Sequence, residues 1–162
     1  MVFGSAALAL RIPNAPSTRD VDIWVEPPER ADALMAVMGE LSWYHDTHNA
    51  YIEVWAPETF AAPVDWPSRA ATMTNENAPR VTLVVPHPHD VLVSKLERWE
   101  EKDREHADLI LAAAPLTERA YDALLARAPY RTGAIVDPAR IERFEVHAAD
   151  LRARLPAGFG GY

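Results

Sequence analysis

The sequence predicts an α+β domain, a small mixed β-sheet followed by a helical C-terminal segment. Three observations carry this expectation. The short runs Asp20-Val-Asp-Ile-Trp-Val25, Ala50-Tyr-Ile-Glu-Val-Trp55 and Arg80-Val-Thr-Leu-Val-Val85 have the period-two or β-branched character of strands. A helix-forming window separates the first two runs, and after Pro86 only helical patterns follow. With 162 residues, 49% of them hydrophobic and 25% charged, the chain can bury a core of its own and is neither disordered nor collagen-like.

Taken in order, residues 1–3 read as the end of a strand, and Gly4-Ser5 interrupts it ahead of the helix former Ala6–Arg11, with Ser5 as the expected N-cap. Pro13, Asn14 and Pro16 stop that helix before the first strand. Pro27-Pro28 opens the next helix, which runs to about Leu41 with Ala31, Leu34, Met35 and Met38 at helical spacing. The stretch from Pro57 to Pro79 is long enough to be irregular or to hold short strands. Asp90 is the expected N-cap of the longest helix, from Val91 to about Ala113, which Pro115 ends. Thr117 caps a further helix, Pro138 starts a last one, and Gly158–Tyr162 reads as a loose tail. The expected organisation is a core over residues 1–113, a helical segment over 114–157 packed on it, and a tail over 158–162.

Charge is segregated along the chain. The net charge of −8 speaks against coating nucleic acid by a general phosphate attraction. Between Asp20 and Asp65 ten carboxylates meet the single cation Arg30. Cations are themselves skewed, with 14 Arg and two Lys, Lys95 and Lys102, both in the expected long helix. The absence of Cys excludes disulfides, thiolate catalysis and Cys-based metal sites. No apolar run is long enough to span a bilayer and no basic signal start is present, so the expectation is a cytoplasmic protein with no membrane partner.

Asp20 and Asp22 stand two apart in a strand, so their carboxylates share one face while Val21 and Ile23 share the other. Such a pair repels itself unless a hard cation such as Mg²⁺ relieves it. Glu53 repeats the geometry in the next strand, and three carboxylates so placed suit two-metal phosphoryl chemistry. An exposed strand face with ordinary surface acids would have the same pattern. Gly4-Ser5 ahead of a helix adds a second element, because a helix N-terminus with a Gly approach attracts phosphate.

On the residues Val2-Phe-Gly-Ser5, Thr18-Arg-Asp-Val-Asp-Ile23, Glu53 within Tyr51-Ile-Glu-Val54, Ser94-Lys-Leu96, Glu101-Lys-Asp103 and Asp108, the chain resembles the DNA polymerase β-like nucleotidyltransferase superfamily, in particular its minimal and AbiEii-type bacterial branches. The resemblance spans roughly residues 2–113. It implies a mixed-sheet nucleotidyltransferase core, a bound nucleoside triphosphate, Mg²⁺ or Mn²⁺ on Asp20, Asp22 and Glu53, and transfer of a nucleotidyl group to a hydroxyl of an RNA end such as tRNA, a protein or a small molecule. It also implies kinship with toxin components that have antitoxin partners. The chain departs from the superfamily in three ways: 14 residues separate Ser5 from Asp20, Pro16 stands where relatives often carry Arg, and only three residues precede Gly4. The short start leads to the expectation of an unpaired sheet edge, covered by a second copy in a homodimer unless the coding start lies upstream.

The long helix carries the remaining candidates. Leu92, Leu96, Trp99, His106 and Ile110 form its apolar stripe, on which Asp103 also falls. Lys95 and Lys102 share a neighbouring face suited to an anionic ligand. The expected site therefore consists of Asp20, Asp22, Glu53 and Lys95 as the reacting set, with Gly4, Ser5, Lys95, Lys102 and Asp103 on the nucleotide side. A nucleotide- or protein-binding relative that has lost catalysis is the alternative. The clusters His45, Asp46, His48 and His87, His89, Asp90 show no established zinc spacing. The Trp residues read as core or rim aromatics, with Trp24 or Trp66 able to stack on a base.

Overall fold

A computed structural model describes residues 1–155, and the expected tail lies outside them. The chain divides into two compact units, Met1–Phe60 with Arg69–His87, and Ala61–Ser68 with the residues from Pro88 onward.

The first unit contains α1 (Gly4–Arg11), β1 (Asp20–Ile23), α2 (Ala31–Met38), α3 (Trp43–His48), β2 (Tyr51–Val54), β3 (Ala71–Asn75) and β4 (Ala78–Val85). The small mixed sheet of the expectation is realised as two pairs, β1 parallel to β2 and β3 antiparallel to β4. Parallel pairing of β1 and β2 requires a crossover, and α2 and α3 supply it. β3 and α3 are elements that periodicity did not resolve. α1 begins at Gly4, two residues earlier than expected, with Phe3 at the N-cap position and no side-chain cap, so Ser5 lies inside the first turn rather than capping it.

The edge expected to be unpaired is taken by the chain itself. Phe3 N–H donates to Asp22 O at 3.0 Å and Trp24 N–H to Met1 O at 2.9 Å, while Val2 N–H donates to Val84 O at 3.0 Å. Residues 1–3 thus bridge β1 and β4. Val2, Phe3, Ala6, Ala7, Leu8, Ile12, Ile52, Phe60 and Val85 are buried, and the Phe3 and Phe60 rings meet at 5.7 Å. The apolar residues of α2 are not part of this core, since no α2 residue is buried.

The second unit contains α4 (Pro88–Ser94), α5 (Glu101–Ala113), α6 (Glu118–Leu125), α7 (Pro129–Thr132) and α8 (Pro138–Arg154). The single long helix expected over Val91–Ala113 is two helices. Trp99 adopts the left-handed φ of +52° and Glu100 an extended one, which ends the first helical path. A reciprocal capping box then starts α5: the Glu100 carboxylate accepts the N3 amide, and Asp103 accepts the Glu100 N–H at 3.1 Å. Asp90 is not a cap but a buried residue inside α4. Thr117 caps α6 as expected, and Asp137, ahead of the expected start at Pro138, caps α8, each by accepting backbone N–H groups.

Leu92, Leu96, Trp99, Ile110, Tyr121, Leu125, Phe144 and Leu151 fill the second core. Tyr121 satisfies its hydroxyl by donating to Ala148 O at 2.8 Å, and Tyr130 stacks on Phe144 at 4.3 Å. At the standard coefficient each of these large side chains contributes about 1.5–3 kcal/mol by burial. Among the described residues no helix is long and apolar enough to cross a membrane.

Candidate functional site

Parallel register in the first unit sets Asp22 beside Glu53 and Asp20 beside Tyr51. Because paired residues of a sheet project to the same side, Asp20, Asp22 and Glu53 share one face, and buried Ile52 belongs to the other. The carboxylates concentrate negative potential there. Desolvation and then the charges of Glu53, Glu40 and Asp20 hold the Tyr51 phenol above its ordinary pKa.

Gly4 closes the geometry from the side of α1. Its φ is +62°, a left-handed conformation that favours glycine, and a Cβ added there would overlap Asp22 Oδ2. A bare Cα is what lets the Asp22 carboxylate lie against the first turn of α1. The residue types that the sequence singled out, Gly before a helix and Asp in a strand, are thus brought into contact by folding.

Two hydrogen bonds orient the acids. Thr18 Oγ1 donates to Asp20 Oδ1, and Trp55 Nε1 donates to Asp22 Oδ1 at 3.0 Å. The second was missed by the sequence reading, which took Trp55 for a core or rim aromatic. Its signal lay in parity: Trp55 is two residues beyond Glu53, hence on the same side of the extended chain.

Lys95, Lys102 and Asp103 belong to the second unit. The anion beside Lys95 is the chain's own Asp103, whose Oδ1 accepts from Lys95 Nζ at 2.8 Å. Arg98 binds the same carboxylate through Nε and Nη2, each at 2.9 Å. Burial alone would raise the Asp103 pKa, but hydrogen bonds from Arg98 and Lys95 outweigh it and hold the carboxyl well below the usual range. Next to them the His106 imidazole is buried, with Nδ1 lacking a hydrogen-bond partner among the described residues. Burial first, and then the positive charges of Lys95 and Lys102, lower its pKa to about 4. Lys102 lies on the exposed side of α5, and exposed Asp108 pairs with Arg154 at 3.2 Å.

The acidic face can be tested for the divalent cation that nucleotidyl transfer calls for. Its donors are hard oxygens, and Mg²⁺ is ordinarily held by one or two carboxylates with substrate phosphates completing its shell. Asp20 and Asp22 on one face, with Glu53 alongside and the Gly4 cradle keeping Asp22 against a helix N-terminus, fit that open arrangement. They do not form a closed cage: among the described residues no three His, Asp or Glu side chains converge as ligands.

A mixed α/β architecture with an acidic strand face against a Gly-initiated helix is in keeping with the resemblance of the sequence to nucleotidyltransferases. The chain belongs to the family described as a nucleotidyltransferase of unknown function (DUF6036), whose model matches residues 1–113. It matches no curated protein and no solved structure at a significant level.

Proposed function

We propose that this chain is a metal-dependent nucleotidyltransferase that moves a nucleotidyl group from a nucleoside triphosphate to a hydroxyl of an RNA end, a protein or a small molecule. The observation that carries the reading is the contact of Gly4 with the Asp22 carboxylate, which sets the N-terminus of α1 against the acidic strand face. The N-terminal amides of α1, at Gly4 and Ser5, attract triphosphate oxygens. Asp20, Asp22 and Glu53 would hold Mg²⁺ or Mn²⁺, which when bound neutralises charge on the transferring phosphoryl group. The acceptor oxygen attacks the α-phosphorus, the bond to the β-phosphate oxygen breaks, and pyrophosphate leaves. Glu53 takes the proton of the acceptor hydroxyl. The expected nucleotide-side roles of Lys95, Lys102 and Asp103 rest on their sequence pattern alone, and in the structure Lys95 is paired with Asp103. A toxin–antitoxin role of AbiEii type rests on the resemblance of the sequence to that branch.

Calorimetry with the four nucleoside triphosphates, with and without Mg²⁺, together with transfer of an α-phosphate label to RNA or protein, tests the reading. Metal-dependent binding with label transfer supports it, and binding that ignores the metal overturns it. Pro16, standing where relatives often carry Arg, favours a second reading, a nucleotide-binding relative without catalysis. That reading gains if binding occurs and no acceptor is ever labelled.

A further inference from the structure

Trp55 follows directly on β2, and its indole, 44% exposed, reaches back to the acidic face. Its backbone N–H donates to Ile23 O at 2.9 Å, which fixes the residue beside the end of β1. Its Nε1 donates to Asp22 Oδ1 at 3.0 Å. The other oxygen of the same carboxylate, Oδ2, lies against Gly4. Asp22 is therefore constrained from two sides by groups of different kinds, a directional donor on one oxygen and a steric wall on the other. A strand carboxylate with only solvent beside it would rotate about its terminal torsion, which is broad for Asp.

We propose that Trp55 is a positioning residue: its indole N–H holds the Asp22 carboxylate in the orientation that receives a divalent cation. The inference rests on the nucleotidyltransferase reading and adds to it a residue outside the acidic set. Hydrogen bonds to ligating carboxylates from neighbouring groups fix ligand orientation, and their removal typically lowers metal affinity about 10- to 100-fold. Because the ring is exposed rather than packed in the core, replacing it does not require the unit to refold around a cavity.

Two substitutions separate the donor from the ring. Trp55→Phe keeps an aromatic ring and loses the N–H. Trp55→Gln loses the ring but places an amide N–H the same number of bonds from Cβ as Nε1. Mn²⁺ alone is the probe, with its free concentration read by electron paramagnetic resonance on the full chain. Circular dichroism confirms that each variant is folded. Asp22→Asn is run alongside. Trp55→Phe is expected to weaken Mn²⁺ binding about tenfold or more, and Trp55→Gln to keep it within about threefold of the parent. If Asp22→Asn weakens binding and Trp55→Phe does not, Trp55 has no positioning role although the metal reading stands. If Phe retains affinity and Gln loses it, the ring matters and the donor does not, which overturns the inference. If Asp22→Asn itself leaves Mn²⁺ binding unchanged, the metal reading fails and the inference falls with it.

Discussion

Lys95 Nζ lies 2.8 Å from Asp103 Oδ1 in the second unit, with 7% of the lysine side chain and none of the aspartate exposed. The pair spans the turn between α4 and α5, and the same carboxylate also receives Arg98 and the Glu100 amide. A lysine that reads from sequence as a helix-surface cation is thus one member of a buried polar cluster.

Removing Asp103 therefore leaves Lys95 buried without its anion and deprives α5 of half its capping box. Asp103→Ala is expected to cost about 3–5 kcal/mol, the range for breaking a buried ion pair. Lys95→Ala is expected to cost less, because Arg98 still neutralises the carboxylate. Chemical denaturation of both variants checks the order. Equal costs would mean that Arg98 adds little to the cluster.

In the first unit, Gly4→Ala puts a Cβ into the space of Asp22 Oδ2 at a left-handed φ. It should lower stability by about 1–3 kcal/mol. Ser5→Ala should change stability by less than about 0.5 kcal/mol, since no side-chain cap starts α1. Thermal denaturation distinguishes the two, and a large loss for Ser5 would reinstate the capping role expected from sequence.

Asp22→Asn removes one charge from the acidic face while the amide oxygen can still accept from Trp55. Nucleotidyl transfer is expected to fall by at least about 10²-fold, as when one electrostatic group of a reacting site is lost. The variant should unfold at the same or a slightly higher temperature in metal-free buffer, since like-charge repulsion is relieved. A lower unfolding temperature with transfer intact would assign Asp22 to structure alone.

Acid should destabilise the protein in two successive windows. His106 has a folded pKa lowered from 6.5 to about 4, so between these values the unfolded chain binds a proton that the folded one refuses, and stability falls as pH drops. Glu97 follows. Hydrogen bonds from Arg140 lower its pKa first and most, with Tyr130 and Arg143 adding to them, from 4.5 to about 2, so its contribution is full above the upper value and is lost towards the lower. His106→Asn should flatten the unfolding temperature between pH 6.5 and 4, and Glu97→Gln between 4.5 and 2. If neither substitution changes its window, other carboxylates dominate acid unfolding.

What the sequence by itself determined lies in interactions between near neighbours. The cap at Thr117, the helix start at Pro138 and the alternation that set Asp20 and Asp22 on one face were readable because turn chemistry and strand pleat act within a few residues. The burial of Asp103 and His106 was readable from helical spacing, even though the helix was not continuous. The capping box Glu100-Glu-Lys-Asp103 was also present in the letters, but the apolar stripe from Leu92 to Ile110 runs through it, and periodicity carried the reading past a turn that Trp99 enforces by its backbone conformation. Only the tertiary structure decided the rest. The contact of Gly4 with Asp22, the Trp55 donor on the same carboxylate and the Val2 bond to β4 join segments far apart in the chain. Which of many such pairings forms depends on how the strands register and what the core excludes, and no local pattern encodes that choice.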